Sequence, residues 1–137
     1  MLAARASGTD VPSYTETWPC VPESARQARR LVSLALSLWG VSDAAAAGEL
    51  IALELVSNAI RHVGRPTFRI TIARPDTWTI KISVADSSRT EPALRTASAE
   101  CESGRGLHLV AALSTDWGCD RKSWGKVVWA EMKVSAP

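Results

Sequence analysis

The sequence predicts an α/β (α+β) two-layer sandwich: a mixed, mostly antiparallel sheet of four or five strands, with two long helices and one short one sharing a single face. Three observations predict it. Two long stretches repeat apolar residues at helical spacing, several short stretches alternate apolar and polar residues with period two, and 137 residues suffice for one domain but not for several.

Along the chain, residues 1–12 are small and polar, with Gly8, Thr9, Asp10 and Pro12, and read as a mobile tail ahead of a single domain over 13–137. Ser13 to Pro19 alternates Tyr14, Glu16 and Trp18 around Thr15 and Thr17, a short strand that Pro19 and Pro22 end, placed at a sheet edge. From Ser24, the residues Ala28, Leu31, Val32, Ala35, Leu38 and Trp39 recur at helical spacing until Gly40 closes the helix. A second helix, capped by Ser42 or Asp43, runs over Ala44 to His62 until Gly64 and Pro66 stop it.

Two alternating strands follow, Phe68-Ile70-Ile72 and Trp78-Ile80-Ile82-Val84, joined as a hairpin by a Pro75-Asp76 turn. Between Asp86 and Ser103 no period survives, and a long patternless run in so small a domain points to a lid or to disorder. The pattern returns at Gly104-Arg105-Gly106, which opens a short helix carrying Leu107, Leu109, Val110 and Leu113. Thr115 to Cys119 and Val127 to Val134 complete the strands.

Composition excludes several classes. Sixteen Lys and Arg against fourteen Asp and Glu leave a formal charge of +2, too small to indicate nucleic-acid binding. With neither a transmembrane stretch nor a signal-like apolar block, the chain is expected in the cytoplasm, away from membranes. Cys20, Cys101 and Cys119 form no CxxC pair, so they are expected as reduced thiols rather than as a zinc site or disulfide framework. Trp39, Trp78, Trp117, Trp124 and Trp129 are assigned to packing.

Three constellations can carry chemistry. On the second helix, Glu54, Asn58 and either Arg61 or His62 line one polar stripe, opposite Leu53, Leu55, Val56, Ala59 and Ile60. A carboxamide oxygen is a hard ligand suited to Mg²⁺, and a carboxylate one turn away can order or deprotonate a hydroxyl; a solvated helix face gives the same pattern. Asp86 ends a strand in Val84-Ala85-Asp86-Ser87-Ser88, where it can accept the amino hydrogens of adenine or simply make an Asx-turn. In Gly104-Arg105-Gly106-Leu107, glycines before a helix allow backbone N–H groups to approach a phosphate, with Arg105 available to pair; a flexible helix cap is the plain alternative.

The order of the three narrows the reading. Glu-Leu-Val-x-Asn-Ala-x-x-His, Asp-x-Ser with a following Pro, and Gly-Arg-Gly-Leu-x-Leu-Val-x-x-Leu together resemble the ATP-binding (GHKL, or Bergerat) fold shared by Hsp90, gyrase B, MutL and histidine kinases. Within it the likeness is closest to the short bacterial anti-sigma-factor serine kinases of RsbW-like and SpoIIAB-like type, over residues 14 to 134, with Trp117-Gly118 and Gly125-Lys126-Val127-Val128-Trp129 resembling their closing strands.

The resemblance implies that ATP and Mg²⁺ are the cofactors, with Asn58 holding Mg²⁺ and Glu54 acting as general base toward a partner's serine. It implies that Asp86 reads the adenine, that Gly104, Arg105 and Gly106 close over the phosphates, and that Ser88 and Leu107 belong to the same nucleotide-binding set. His62 matches a family position read as packing or capping. Ser88 and Thr90 stand where the wider superfamily has glycines, and Val127 stands where a threonine often lies near the adenine-binding Asp. The implied partners are an anti-sigma-factor antagonist domain of STAS type, a sigma factor and a second copy of the chain. The implied activity is protein serine/threonine kinase, with a non-catalytic nucleotide-dependent binding switch as the alternative. With about fifty residues before Glu54, the dimerising hairpin of a histidine kinase is not expected.

Overall fold

In the computed structural model, residues 11–60, 67–86 and 107–135 are described in full, and 4–6 and 87 by backbone alone. The elements run β1 (Ala4–Ala6), β2 (Pro12–Pro19), α1 (Glu23–Leu38), a 3-10 turn (Ser42–Ala44), α2 (Ala45–Ile60), β3 (Thr67–Asp76), β4 (Thr79–Ser87), α3 (His108–Leu113), β5 (Asp116–Lys122) and β6 (Gly125–Lys133). The strands form one sheet in the order β1-β2-β3-β4-β6-β5, every neighbouring pair antiparallel. The two-layer α+β sandwich is thus present.

Period-two alternation sorts the sheet into faces. Ile70 and Ile72 of β3, Ile80, Ile82 and Val84 of β4, and Val128, Ala130 and Met132 of β6 are all buried on the face that meets the helices. Each such side chain contributes on the order of 1.5–3 kcal/mol by leaving water. Their register partners line up across the strands, Ile72 with Ile82, Ile82 with Ala130, and Val84 with both Ile70 and Val128.

The helices close the other layer. From α1, Ala28, Leu31, Val32, Ala35 and Leu36 are buried, and from α2, Ile51, Ala52, Leu55, Val56 and Ala59. α1 stops as the sequence predicts: Gly40 adopts φ 74°, the Gly40 N–H donates to the Ser37 carbonyl and the Val41 N–H to the Leu36 carbonyl. These two bonds form a Schellman motif, in which a left-handed residue lets the last carbonyls find donors. At the crossing of the helices Gly48 lies so close that an added Cβ would stand 3.0 Å from Val32 Cγ1 and 3.2 Å from Leu36 Cδ1.

Several expectations change. β2 is not the outermost strand, because Ala4–Ala6, within the segment read as a tail, pairs with Pro12–Tyr14. Cys119 is disulfide-bonded and not a reduced thiol, whereas Cys20 forms no disulfide. An odd count of cysteines permits one bridge, and the approach of two Cα atoms that a bridge needs is invisible to sequence spacing. The packing assignment holds for Trp39, whose ring lies 5.3 Å from that of Tyr14, and for the half-buried Trp117 and Trp129. It fails for Trp78 and Trp124, which are exposed at the tips of the β3–β4 and β5–β6 turns.

Candidate functional site

The site is built where the C-terminal half of α2 crosses the end of the sheet. α2 packs on β4 and, more lightly, on β3 and β6. The antiparallel register aligns one row across five strands on the helix-facing side: Trp18, Phe68, Asp86, Lys126 and Arg121. One row deeper the three central strands carry only aliphatic residues, Ile70, Val84 and Val128. At this row the apolar pattern breaks, and Asp86 and Lys126 stand side by side at 3% and 1% exposure.

Charges so deeply buried require partners, because an uncompensated buried ion costs far more than ordinary folding stability can absorb. Lys126 finds one across the layers: its Nζ donates to Asn58 Oδ1 at 2.8 Å, a bond between buried groups 68 residues apart in sequence. Directly opposite partners in an antiparallel pair carry Cβ atoms roughly 4.5–5.5 Å apart, which brings the Asp86 carboxylate beside the Lys126 stem. A carboxylate, an ammonium and a carboxamide from β4, β6 and α2 thus converge inside the fold.

Asn58 does not lie on a solvated stripe. It is 1% exposed, between buried Leu55 and Ala59, while Glu54 one turn earlier is half-buried. The helix therefore divides the pair: the carboxamide faces inward to Lys126 and the carboxylate sits at the boundary with solvent. Leu107 lies with its side chain in the core, 1% exposed, and its carbonyl accepts from Ala111 N–H at 2.9 Å. Ser88, Gly104, Arg105, Gly106 and His62 lie outside the described residues, as does the stretch 86–103 read as a lid, except for Asp86 and Ser87, which belong to β4.

Lys126 is the residue that sequence reasoning missed, and Val127 is the one it misplaced. The expected neighbour of Asp86 was position 127, but Val127 pairs with Ala85 on the opposite face, and Lys126 faces Asp86. The signal was present in the parity of the strand: Lys126, Val128, Ala130 and Met132 share one face, so a cation stands in an otherwise apolar register.

The donor set suits a purine nucleotide. A buried carboxylate at a strand end accepts an exocyclic amine, and an ammonium one strand away can offset phosphate charge. Asp86 also borders a cleft of about 190 Å³ with Thr17, Thr67, Phe68, Arg69, Ala85 and Trp124, smaller than the roughly 300–1,000 Å³ of whole-ligand sites. A larger hollow of about 430 Å³ lies between Gly40, Val41, Asp43, Ala44 and Lys133 to Ser135 at the far end of the sheet and contains none of these groups.

Mg²⁺ on Asn58 does not fit this arrangement. The carboxamide oxygen already accepts from the Lys126 ammonium. A divalent ion sharing that oxygen would stand next to the ammonium and be repelled by it. Among the described residues no group of three His, Cys, Asp or Glu side chains offers a metal another seat.

The fold is a sheet covered on one face by two long helices, with a buried carboxylate at the end of β4 and a buried carboxamide on α2. The family model of the histidine kinase-like ATPase domain matches residues 19–132, and the chain belongs to that family of ATP-binding domains. No curated protein matches the chain. Among the described residues no helix is long and apolar enough to cross a membrane.

Proposed function

We propose that this chain is a cytoplasmic, ATP-binding bacterial regulator that phosphorylates a serine or threonine on an anti-sigma-factor antagonist domain of STAS type and, as a homodimer, holds a sigma factor when the antagonist is modified. The observation that supports it is the placement of Glu54 at the solvent boundary one helical turn from buried Asn58, above the row carrying Asp86. Asp86 accepts the purine amine. Glu54 orders the incoming hydroxyl and takes its proton as the oxygen attacks the γ-phosphorus in line and the bond to ADP breaks. Mg²⁺ bound with the nucleotide would supply charge neutralisation at the phosphates, while Asn58 Oδ1 accepts from Lys126.

One observation favours a second reading, a switch that binds nucleotide to select a partner without transfer: Asn58 Oδ1 is engaged by Lys126. Labelled ATP, the purified chain and candidate antagonist domains separate the two. Labelled antagonist that disappears with Glu54→Ala supports the kinase. A nucleotide-dependent complex with no labelled product supports the switch.

A further inference from the structure

We propose that Lys126 is the resident cation of the nucleotide site, and that ATP binds there without requiring a divalent ion on Asn58. The inference rests on the nucleotide reading above. Three observations support it together. Lys126 is 1% exposed on a strand whose next same-face residues, Val128, Ala130 and Met132, are aliphatic, so its ammonium depends on polar partners at this end of the sheet. Its Nζ donates at 2.8 Å to Asn58 Oδ1, the oxygen that a metal on this helix would use. Its register partner is Asp86, the carboxylate at the base-binding end of the row, so the cation lies between the groups assigned to the two ends of the ligand.

An ammonium is a compact point charge with three N–H donors, enough to hold a carboxamide while facing carboxylate or phosphate oxygens. Metal ligation at Asn58 would make affinity collapse on chelation. A covalently attached cation cannot be chelated, so affinity would persist.

The test is calorimetric titration of the full chain with ATP, once in excess EDTA and once in excess MgCl₂. The expected result is a Kd in EDTA within about threefold of that in Mg²⁺, with Lys126→Met weakening binding in EDTA at least about tenfold, or about 1.4 kcal/mol. Binding in Mg²⁺ that vanishes in EDTA overturns the proposal and leaves the nucleotide reading standing. Absence of binding in both buffers overturns the nucleotide reading and the proposal with it. Unchanged EDTA affinity in a folded Lys126→Met variant also overturns it. The comparison of the two buffers uses the unmutated chain and decides the outcome even where the variant does not fold.

Discussion

Replacing Lys126 with methionine keeps most of the stem and removes the ammonium. It leaves Asp86 at 3% exposure beside an apolar side chain and withdraws the donor at 2.8 Å from Asn58 Oδ1. Removing one partner of a buried charged set costs about 3–5 kcal/mol, because the other charge stays behind uncompensated. A chain of this size loses roughly 3–5 °C of Tm per kcal/mol, so the midpoint should fall by about 9–25 °C. Urea unfolding at neutral pH, followed by the fluorescence of the six tryptophans, measures the loss as a shift in midpoint at constant slope. Adding Asp86→Asn should restore part of it, with a coupling energy of at least about 1.5 kcal/mol in the double-mutant cycle. A loss below about 1 kcal/mol, or a double variant whose effects simply add, would refute the claim that these charges balance one another.

Other consequences are smaller but equally checkable. Gly118→Ala would set a Cβ 2.8 Å from Trp129 Cζ2 in the middle of β5, and should cost about 1–3 kcal/mol of overpacking in the same urea assay. Ile82→Ala, fully buried at the centre of the sheet, should cost about 2–5 kcal/mol. Asp76, exposed, accepts the Trp78 backbone N–H at 2.8 Å, and this bond first, then Thr79, lowers its pKa below the ordinary 3.8. Its small contribution is therefore present above pH 3.8 and is lost as pH falls through the lower folded value, so Asp76→Asn should flatten only the acid limb of a stability–pH curve. A thiol-alkylating reagent followed by peptide mass analysis should label Cys20 in the non-reduced protein and Cys119 only after reduction.

Much of the fold was legible because burial imposes a period. Ala28, Leu31, Val32 and Ala35 mark one helix face, and Ile80, Ile82 and Val84 mark one sheet face, as the structure places them. What the sequence hid depends on contacts between distant segments. Ala4–Ala6 is too short, at three residues, to show a period, and its strand is defined by pairing with β2. The placement of β6 between β4 and β5 is a matter of register, and register decides whether position 126 or 127 faces Asp86. Reading the last strand from its motif set Val127 beside the carboxylate, whereas reading it from its parity would have set Lys126 there. Asn58 posed the same difficulty: a polar residue one turn from a glutamate looks solvated until the cation that satisfies it is found 68 residues later.

The most direct measurement is the thermal midpoint of the unmutated chain titrated with ATP and, separately, with GTP. Asp86 as the acceptor for a 6-amino group favours adenine over guanine, which presents a carbonyl there. At one hundred times its Kd, ATP should stabilise the fold by about 2.7 kcal/mol, and GTP at the same concentration should give less than a tenth of the occupancy-corrected affinity. Equal shifts for the two nucleotides, or none for either, would contradict an adenine site at the end of β4.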